Sequence, residues 1–316
     1  LEARGPYGPA LLFETSPGNA KLMELYGAEA NYPYTYSLTT VVYGFMPNFT
    51  DFTIAKDDIP GLNFSTIADI NHYHTDLDNF ANINASSLQH YGAQITPIVR
   101  RYLTDSGYAD RDSLKSEEDT INFTLPLLGL MNFSATTYGV VNIVVFVLFL
   151  LILVIDKLRG RIDLRSTLRS ALCTLIAALS MLIVGELVAY VASLIAGAKF
   201  NLFGIVQGVA GDNATMICCA VVMAIAVVVM YVRQLKRSLA ATQGSIRKSA
   251  TESASLLFMT NRLYGVLIVM FLLSVMLLII LGENLMFFIP LSAATVALLL
   301  VRITTLRGWY VVAIAL

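Results

Sequence analysis

The chain has 316 residues, 56% of them hydrophobic and 14% charged, with a mean hydropathy of +0.68 and a formal net charge of -1. The near-neutral charge hides two opposite halves, because residues 1–137 hold 16 Asp and Glu against 7 Lys and Arg while residues 138–316 hold 6 against 14. This excludes an ordinary soluble domain in favour of an acidic soluble part joined to a membrane part, and the acidity argues against a nucleic-acid partner.

In chain order, "ALLFETS" (10–16) predicts a strand and "GNAKLMELYGAEA" (18–30) a helix. "IPGLNFSTI" (59–67) predicts a buried strand, and "SSLQHYGAQITPIVRRYL" (86–103) an amphipathic helix with Leu88, Tyr91, Ile95, Ile98 and Leu103 roughly on one face. Alternating strands and helices favour an α/β layer arrangement, and so few strands within residues 1–116 look like part of a larger sheet. Residues 117–137 read as a linker and 138–316 as an all-α multi-span transmembrane bundle.

Five apolar runs, at roughly 138–155, 171–196, 214–232, 263–281 and 284–301, approach the ~20 residues that a helix needs to cross ~30 Å of hydrocarbon. A sixth begins near Trp309. Basic residues follow the first run (Lys157, Arg159, Arg161, Arg165, Arg169), the third (Arg233 to Arg262) and the fifth (Arg302, Arg307), whereas the intervening loops hold only Lys199. The positive-inside rule then places residues 1–137 on the extracytoplasmic or lumenal side. Cys173, Cys218 and Cys219 all lie in apolar runs, so no disulfide reports the compartment. The chain opens at Leu1 without a methionine or a basic-plus-apolar leader, which reads as a fragment of a longer protein.

The residues with chemical potential concentrate in "NHYHTDLDN" (71–79), which carries His72, His74, Asp76 and Asp78. On a strand the two histidines would share a face, and on a helix His74 would neighbour Asp78. Zinc prefers histidine and carboxylate among nitrogen and oxygen donors, and a further carboxylate can fix the histidine tautomer. The spacing alone suits turn residues equally well, since Asp and Asn hydrogen-bond locally in turns.

The order of short motifs adds a second line of argument. "LEARG" (1–5), "LLFETS" (11–16), "NFTDFTIAKDDIPGLNF" (48–64), "YHTDLDN" (73–79) and "SLQHYG" (87–92) together resemble the C-terminal half of the co-catalytic di-zinc aminopeptidase family, which includes glutamate carboxypeptidases and glutaminyl cyclases. The nearest branch is the membrane-embedded one, of endoplasmic reticulum metallopeptidase and vacuolar membrane protease type. "NFTLPLLGLMNFS" (122–134) is similar to the segment preceding the first span in that branch.

The resemblance implies Glu2 and His74 as zinc ligands, on different ions of a pair, and Tyr73 as the hydroxyl that stabilises the tetrahedral oxyanion. It places Asp51 beside the substrate pocket and Asp78 as the carboxylate behind the histidine, and it assigns nothing to His72. Asp76, Asn79 and Asp58 stand where the family favours proline, threonine and glycine, which puts substrate preference in question more than mechanism. The implied reaction is hydrolysis of a peptide by metal-activated water, with a carboxylate taking the proton. The family's first histidine ligand, bridging aspartate and paired glutamates would lie N-terminal to Leu1, so this segment alone is expected to be inactive. The rival reading is a non-enzymatic, transporter-like or receptor-like membrane protein with a degenerate outer domain.

Glu186, inside the second run, is an intramembrane polar candidate, since an unpaired charge there costs roughly 2.5–3.5 kcal/mol on insertion scales. Its alternative is a hydrogen-bonded residue holding helices together. Glu283 reads as a short outer loop. Asn48, Asn63, Asn84, Asn122, Asn132 and Asn213 begin N-x-S/T sequons on the expected outer face, and most are read as accidental.

Overall fold

The computed structural model describes residues 1–45, 49–110, 112–195 and 248–301, with the side chains of residues 71, 248–256 and 301 and of some residues in 181–195 left undescribed. The chain divides into two units, Leu1–Val141 and Asn142–Leu316.

In the first unit, β1 (Glu2–Ala3), β2 (Leu11–Thr15) and β3 (Leu62–Thr66) form a sheet of order β1-β3-β2. Strand β1 runs parallel to β3, pairing Glu2 with Ser65, whereas β2 runs antiparallel to β3 with a register shift between Leu12 and Glu14. Helix α1 (Ala20–Glu29) buries Leu22, Met23, Leu25 and Tyr26. With Leu12, Phe64, Ile98 and Leu114 these four form the core, so the strands and helix expected at 10–30 and 59–67 are present and pack together.

The amphipathic helix expected at 86–103 is α4 (Ala85–Thr104), but its buried stripe differs from the expected one. Ile98 is buried, and Tyr91 and Ile95 pack on the core, while Leu88 and Leu103 are exposed. Leu103 lies five residues past Ile98, about 140° around the helix, and so belongs to another face. Gln94 takes the vacated stripe, fully buried. Its Oε1 accepts from the Tyr26 hydroxyl at 2.5 Å, and its Nε2 donates to the Ala10 carbonyl at 2.7 Å. Gln94→Leu therefore strands the Tyr26 hydroxyl and the Ala10 carbonyl in the core, and we expect a loss of roughly 1–3 kcal/mol, read as a lower thermal midpoint for the first unit by near-ultraviolet circular dichroism. The third histidine, His90, is structural: Nδ1 accepts from the Ala10 N–H at 2.9 Å, which leaves Nε2 to donate to the Tyr32 carbonyl at 3.1 Å.

Two helices arise where the residues show no clear period, α2 (Ser37–Gly44) and α3 (Asp51–Ala55). The latter starts on a capping box made by Thr50 and Thr53. Below it Glu14, 3% exposed, pairs with Lys56 at 3.0 Å and accepts from Asn63 Nδ2 at 3.1 Å. Residues 117–137, expected as a linker, carry a hairpin of β4 (Thr120–Leu125) and β5 (Gly129–Ser134) fastened to this unit. Asn19 Oδ1 accepts from the Thr120 N–H and hydroxyl, Ser37 Oγ accepts from the Asn122 N–H, and Leu130 packs on the core. Asn63 and Asn122 are buried, which agrees with reading those sequons as accidental; Asn132 is exposed, and Asn48 and Asn213 lie outside the described residues.

The second unit is helical: α5 (Ala135–Leu158), which begins in the first unit, α6 (Leu164–Ile195), α7 (Lys248–Leu281) and α8 (Leu285–Val301). Among the described residues three segments, Ala135–Leu158, Leu164–Gly185 and Leu257–Leu281, are long and apolar enough to cross a membrane. The apolar stretch Leu285–Leu300 is shorter. The expected run at 214–232 and the one beginning near Trp309 lie outside the described residues. Helices α6 and α7 approach closely at Gly265, where an added Cβ would stand 2.7 Å from the Ala171 backbone nitrogen. Gly265→Val should force the pair apart and cost about 1–3 kcal/mol, measured as a lower unfolding midpoint in detergent.

Polar side chains knit this unit, at Asp156 and Asn284 among other places. Asp156 accepts from the Tyr264 hydroxyl at 2.6 Å and pairs with Arg161 at 3.2 Å. Asn284 Nδ2 donates to Asn142 Oδ1 and Ser274 Oγ, both at 2.9 Å, while Glu283 Oε1 accepts from the Asn284 and Leu285 N–H groups. Glu283 is thus a buried cap on the start of α8 as well as a loop residue. Glu186 falls within α6, and its side chain is outside the description.

Candidate functional site

The parallel pairing of β1 with β3 brings the segments that follow each strand to one edge of the sheet, the usual place for a ligand crevice in α/β folds. The segments are zipped together: Arg4 N–H donates to the Thr66 carbonyl at 2.8 Å, and Ala68 N–H to the Tyr7 carbonyl at 3.1 Å. Gly5 is required at this approach, since a Cβ there would sit 2.0 Å from the Ala68 carbonyl oxygen. Tyr91, on α4, pins the same edge. Its hydroxyl donates to the Glu2 carbonyl and accepts from the Thr66 N–H at 2.6 Å. Burial pushes the Tyr91 pKa up, assisted by the Glu2 charge, and keeps the hydroxyl a donor at neutral pH.

After β3 the chain forms a short 3-10 turn, Ile70–His72, with Asp69 before it and His74 after it in left-handed backbone, both at φ 58°. His72 and His74 therefore share neither a strand face nor a helix face. His72 Nδ1 lies 3.2 Å from the Asp69 carbonyl oxygen. Tyr73 stacks on the exposed His74 ring at 3.8 Å between centroids, and the Arg4 guanidinium lies over the Tyr73 ring at 5.0 Å.

A cavity of about 220 Å³ opens at this edge, lined by Ala3, Arg4, His72, Tyr73, Asp78 and Tyr91 among others. It gathers two of the residues expected from the sequence, Tyr73 and Asp78, and the strand that carries Glu2. Glu2, His74 and Asp51 are not part of its lining. Asp51 is the exposed first residue of α3, where its charge favours the helix N-terminus. No hydrogen bond or ion pair joins Asp78 to His74 among the described residues.

Glu2 and His74 offer the oxygen and nitrogen donors that zinc takes, yet among the described residues no three or more His, Cys, Asp or Glu are grouped to hold a metal. The described residues do not by themselves complete a metal centre.

Sequence reasoning missed Arg4 and Tyr91. Arg4 also faces the Tyr43 hydroxyl, whose pKa burial raises and Arg4 partly offsets. The position of Arg4, two residues beyond Glu2, was the one available signal. For Tyr91 there was none, because its hydroxyl acts across 89 residues of chain on a backbone carbonyl.

Residues 1–99 match the model of Peptidase family M28. Three similar proteins carry metallopeptidase names. "Endoplasmic reticulum metallopeptidase 1" of Mus musculus is 28% identical over 179 residues, which is 55% of this chain and 20% of the relative. The Homo sapiens protein of the same name is 33% identical over 108 residues, 33% of this chain and 12% of the relative. "Putative endoplasmic reticulum metallopeptidase 1-A" of Caenorhabditis elegans is 31% identical over 147 residues, 45% of this chain and 16% of the relative. The chain thus spans about a fifth or less of the length of these relatives. The 179 residues aligned to the mouse protein exceed the extent of Leu1–Val141, so that likeness includes part of the helical unit. No solved structure matches the chain.

Proposed function

We propose that this chain is the C-terminal part of the catalytic domain, with the following spans, of a membrane-anchored zinc exopeptidase of aminopeptidase type. The observation that carries the reading is the meeting of two segments at one sheet edge: the strand bearing Glu2 and the turn bearing Tyr73 and His74 form walls of, or flank, a single cavity beside Tyr91.

On this reading Glu2 and His74 each give one donor to a two-ion zinc centre whose other ligands come from elsewhere in the native protein. The 316 residues alone would not hydrolyse peptides. Tyr73 donates its hydroxyl to the oxyanion that develops on the scissile carbonyl, while Arg4 and His74 pack on its ring. Asp51 contributes at the pocket rim, and Asp78 acts near the turn. The alternately basic loops support a lumenal or extracytoplasmic side for the peptidase part.

The test uses the protein purified from its native membrane. It should hydrolyse peptides with a free N-terminus, reject N-acetylated versions, lose activity on chelation and regain it with zinc. Equal cleavage of blocked peptides would remove the aminopeptidase assignment, and zinc-independent or absent hydrolysis would favour the non-enzymatic reading.

A further inference from the structure

Arg4 is the single Lys or Arg in the described lining of the cavity at the sheet edge. Its backbone is fixed there, because its N–H donates to the Thr66 carbonyl and Gly5 beyond it packs tightly on Ala68. The guanidinium is held too, over the Tyr73 ring at 5.0 Å and beside the Tyr43 hydroxyl. Neither neighbour matches its charge. Burial keeps the Tyr43 hydroxyl protonated at neutral pH, and a tyrosine ring attracts a cation without neutralising it.

Among the described residues no acid completes the arrangement. Asp78 shares the cavity and Glu2 lies two residues back, yet neither forms an ion pair with Arg4. Glu14, which like Arg4 acts on Tyr43, is already paired with Lys56 at 3.0 Å and bonded by Asn63. The other described cations of the first unit are accounted for: Lys56, Arg101 and Lys115 are ion-paired, and Lys21 and Arg100 stand exposed to water. Arg4 alone is half-buried in a cavity wall with no acid beside it, and an anionic ligand would offset the desolvation of its charge.

We propose that Arg4 is a specificity-determining residue that binds a substrate carboxylate close to the scissile bond. A guanidinium presents a planar fork of N–H donors that fits the two oxygens of a carboxylate. On the peptidase reading the Tyr73 hydroxyl meets the scissile carbonyl, so a carboxylate on Arg4 belongs within roughly two residues of that bond, at up to ~3.6 Å of chain each. It is either the free C-terminus of a dipeptide or the side chain of an Asp or Glu next to the bond. The inference takes the peptide from the peptidase reading and adds the carboxylate to it.

The test measures binding to the native membrane protein, as purified, by titration calorimetry with dipeptides made uncleavable by reducing the scissile carbonyl to a methylene. One arm compares the Ala-Ala analogue with its C-terminal amide, and the other compares amidated Ala-Glu and Ala-Gln analogues. Expected is about 10-fold or tighter binding of the acid over its neutral partner in at least one arm, and that arm names the source of the carboxylate. The ratio should fall to about one in Arg4→Gln and lie between in Arg4→Lys, which keeps the charge and loses the fork. A role for Arg4 in structure alone would weaken acid and amide together and leave the ratio intact. A ratio near one in both arms of the parent would overturn the proposal, as would no binding by the parent or a ratio that survives Arg4→Gln. Zinc-dependent hydrolysis of ordinary dipeptides, measured alongside, reports on the peptidase reading by itself: turnover without acid preference sinks the role of Arg4 alone, and an Arg4-dependent preference without turnover upholds the carboxylate site and sinks the peptidase.

Discussion

Replacing His74 with alanine in the native membrane protein is expected to lower peptide hydrolysis by at least about 100-fold, measured as initial rates at saturating zinc. The scale follows from the 10- to 100-fold losses seen when only the outer partners of metal ligands are changed. The fold should survive, because the His74 side chain is exposed and its ring contact is the stack on Tyr73. His74 sits at φ 58°, so alanine also adds a small backbone cost. His74→Gly relieves that cost and should be just as inactive, which separates loss of a ligand from strain. His72→Ala, two residues away, should stay within about twofold of the parent, since the His72 ring makes one contact with its own turn. Equal losses at His72 and His74 would show that the turn matters only as structure.

Tyr73→Phe is expected to reduce kcat by about 100- to 1,000-fold with KM changed only a few-fold, the pattern of a donor used chiefly in the transition state. Phenylalanine keeps both the stack on His74 and the face beneath Arg4, so the substitution removes one hydroxyl and little else. Zinc content should be unchanged. A rise in KM at constant kcat would instead place Tyr73 in substrate binding.

Much of the fold of the first unit was legible because it follows period and composition. Strands β2 and β3 announce themselves by apolar, β-rich runs, and α1 and α4 by their helical spacing. Helices α2 and α3 and the β4–β5 hairpin were not legible, because long-range bonds decide them: Ser37 accepts from Asn122 N–H across 85 residues, and Asn19 accepts from Thr120 across 101. Helix α4 shows the limit of periodicity most directly. Hydrophobicity nominated Leu88 and Leu103 for the core, yet the stripe facing α1 contains Gln94, because Tyr26 and Ala10 present polar groups there.

The candidate site was legible in its chemistry and less so in its shape. Tyr73 and Asp78 do share a cavity, but neither the strand nor the helix considered for 71–79 occurs. The turn is set by left-handed residues at Asp69 and His74, and nothing in the composition forces such φ values. The pinning of Glu2 by Tyr91 was equally hidden, since any backbone carbonyl can receive a hydroxyl. Around Glu283 the same blindness had the opposite sign, with a charge that looked like loop decoration turning out to be a buried helix cap.

The central claim, that Glu2 and His74 are metal ligands, is tested most directly by the zinc content of the native protein, determined by elemental analysis after exhaustive dialysis. The account predicts about two zinc ions per chain, falling by about one in Glu2→Ala and in His74→Ala and remaining at about two in His72→Ala. Zinc that is absent from the parent, or retained in full by both Glu2→Ala and His74→Ala, would contradict it.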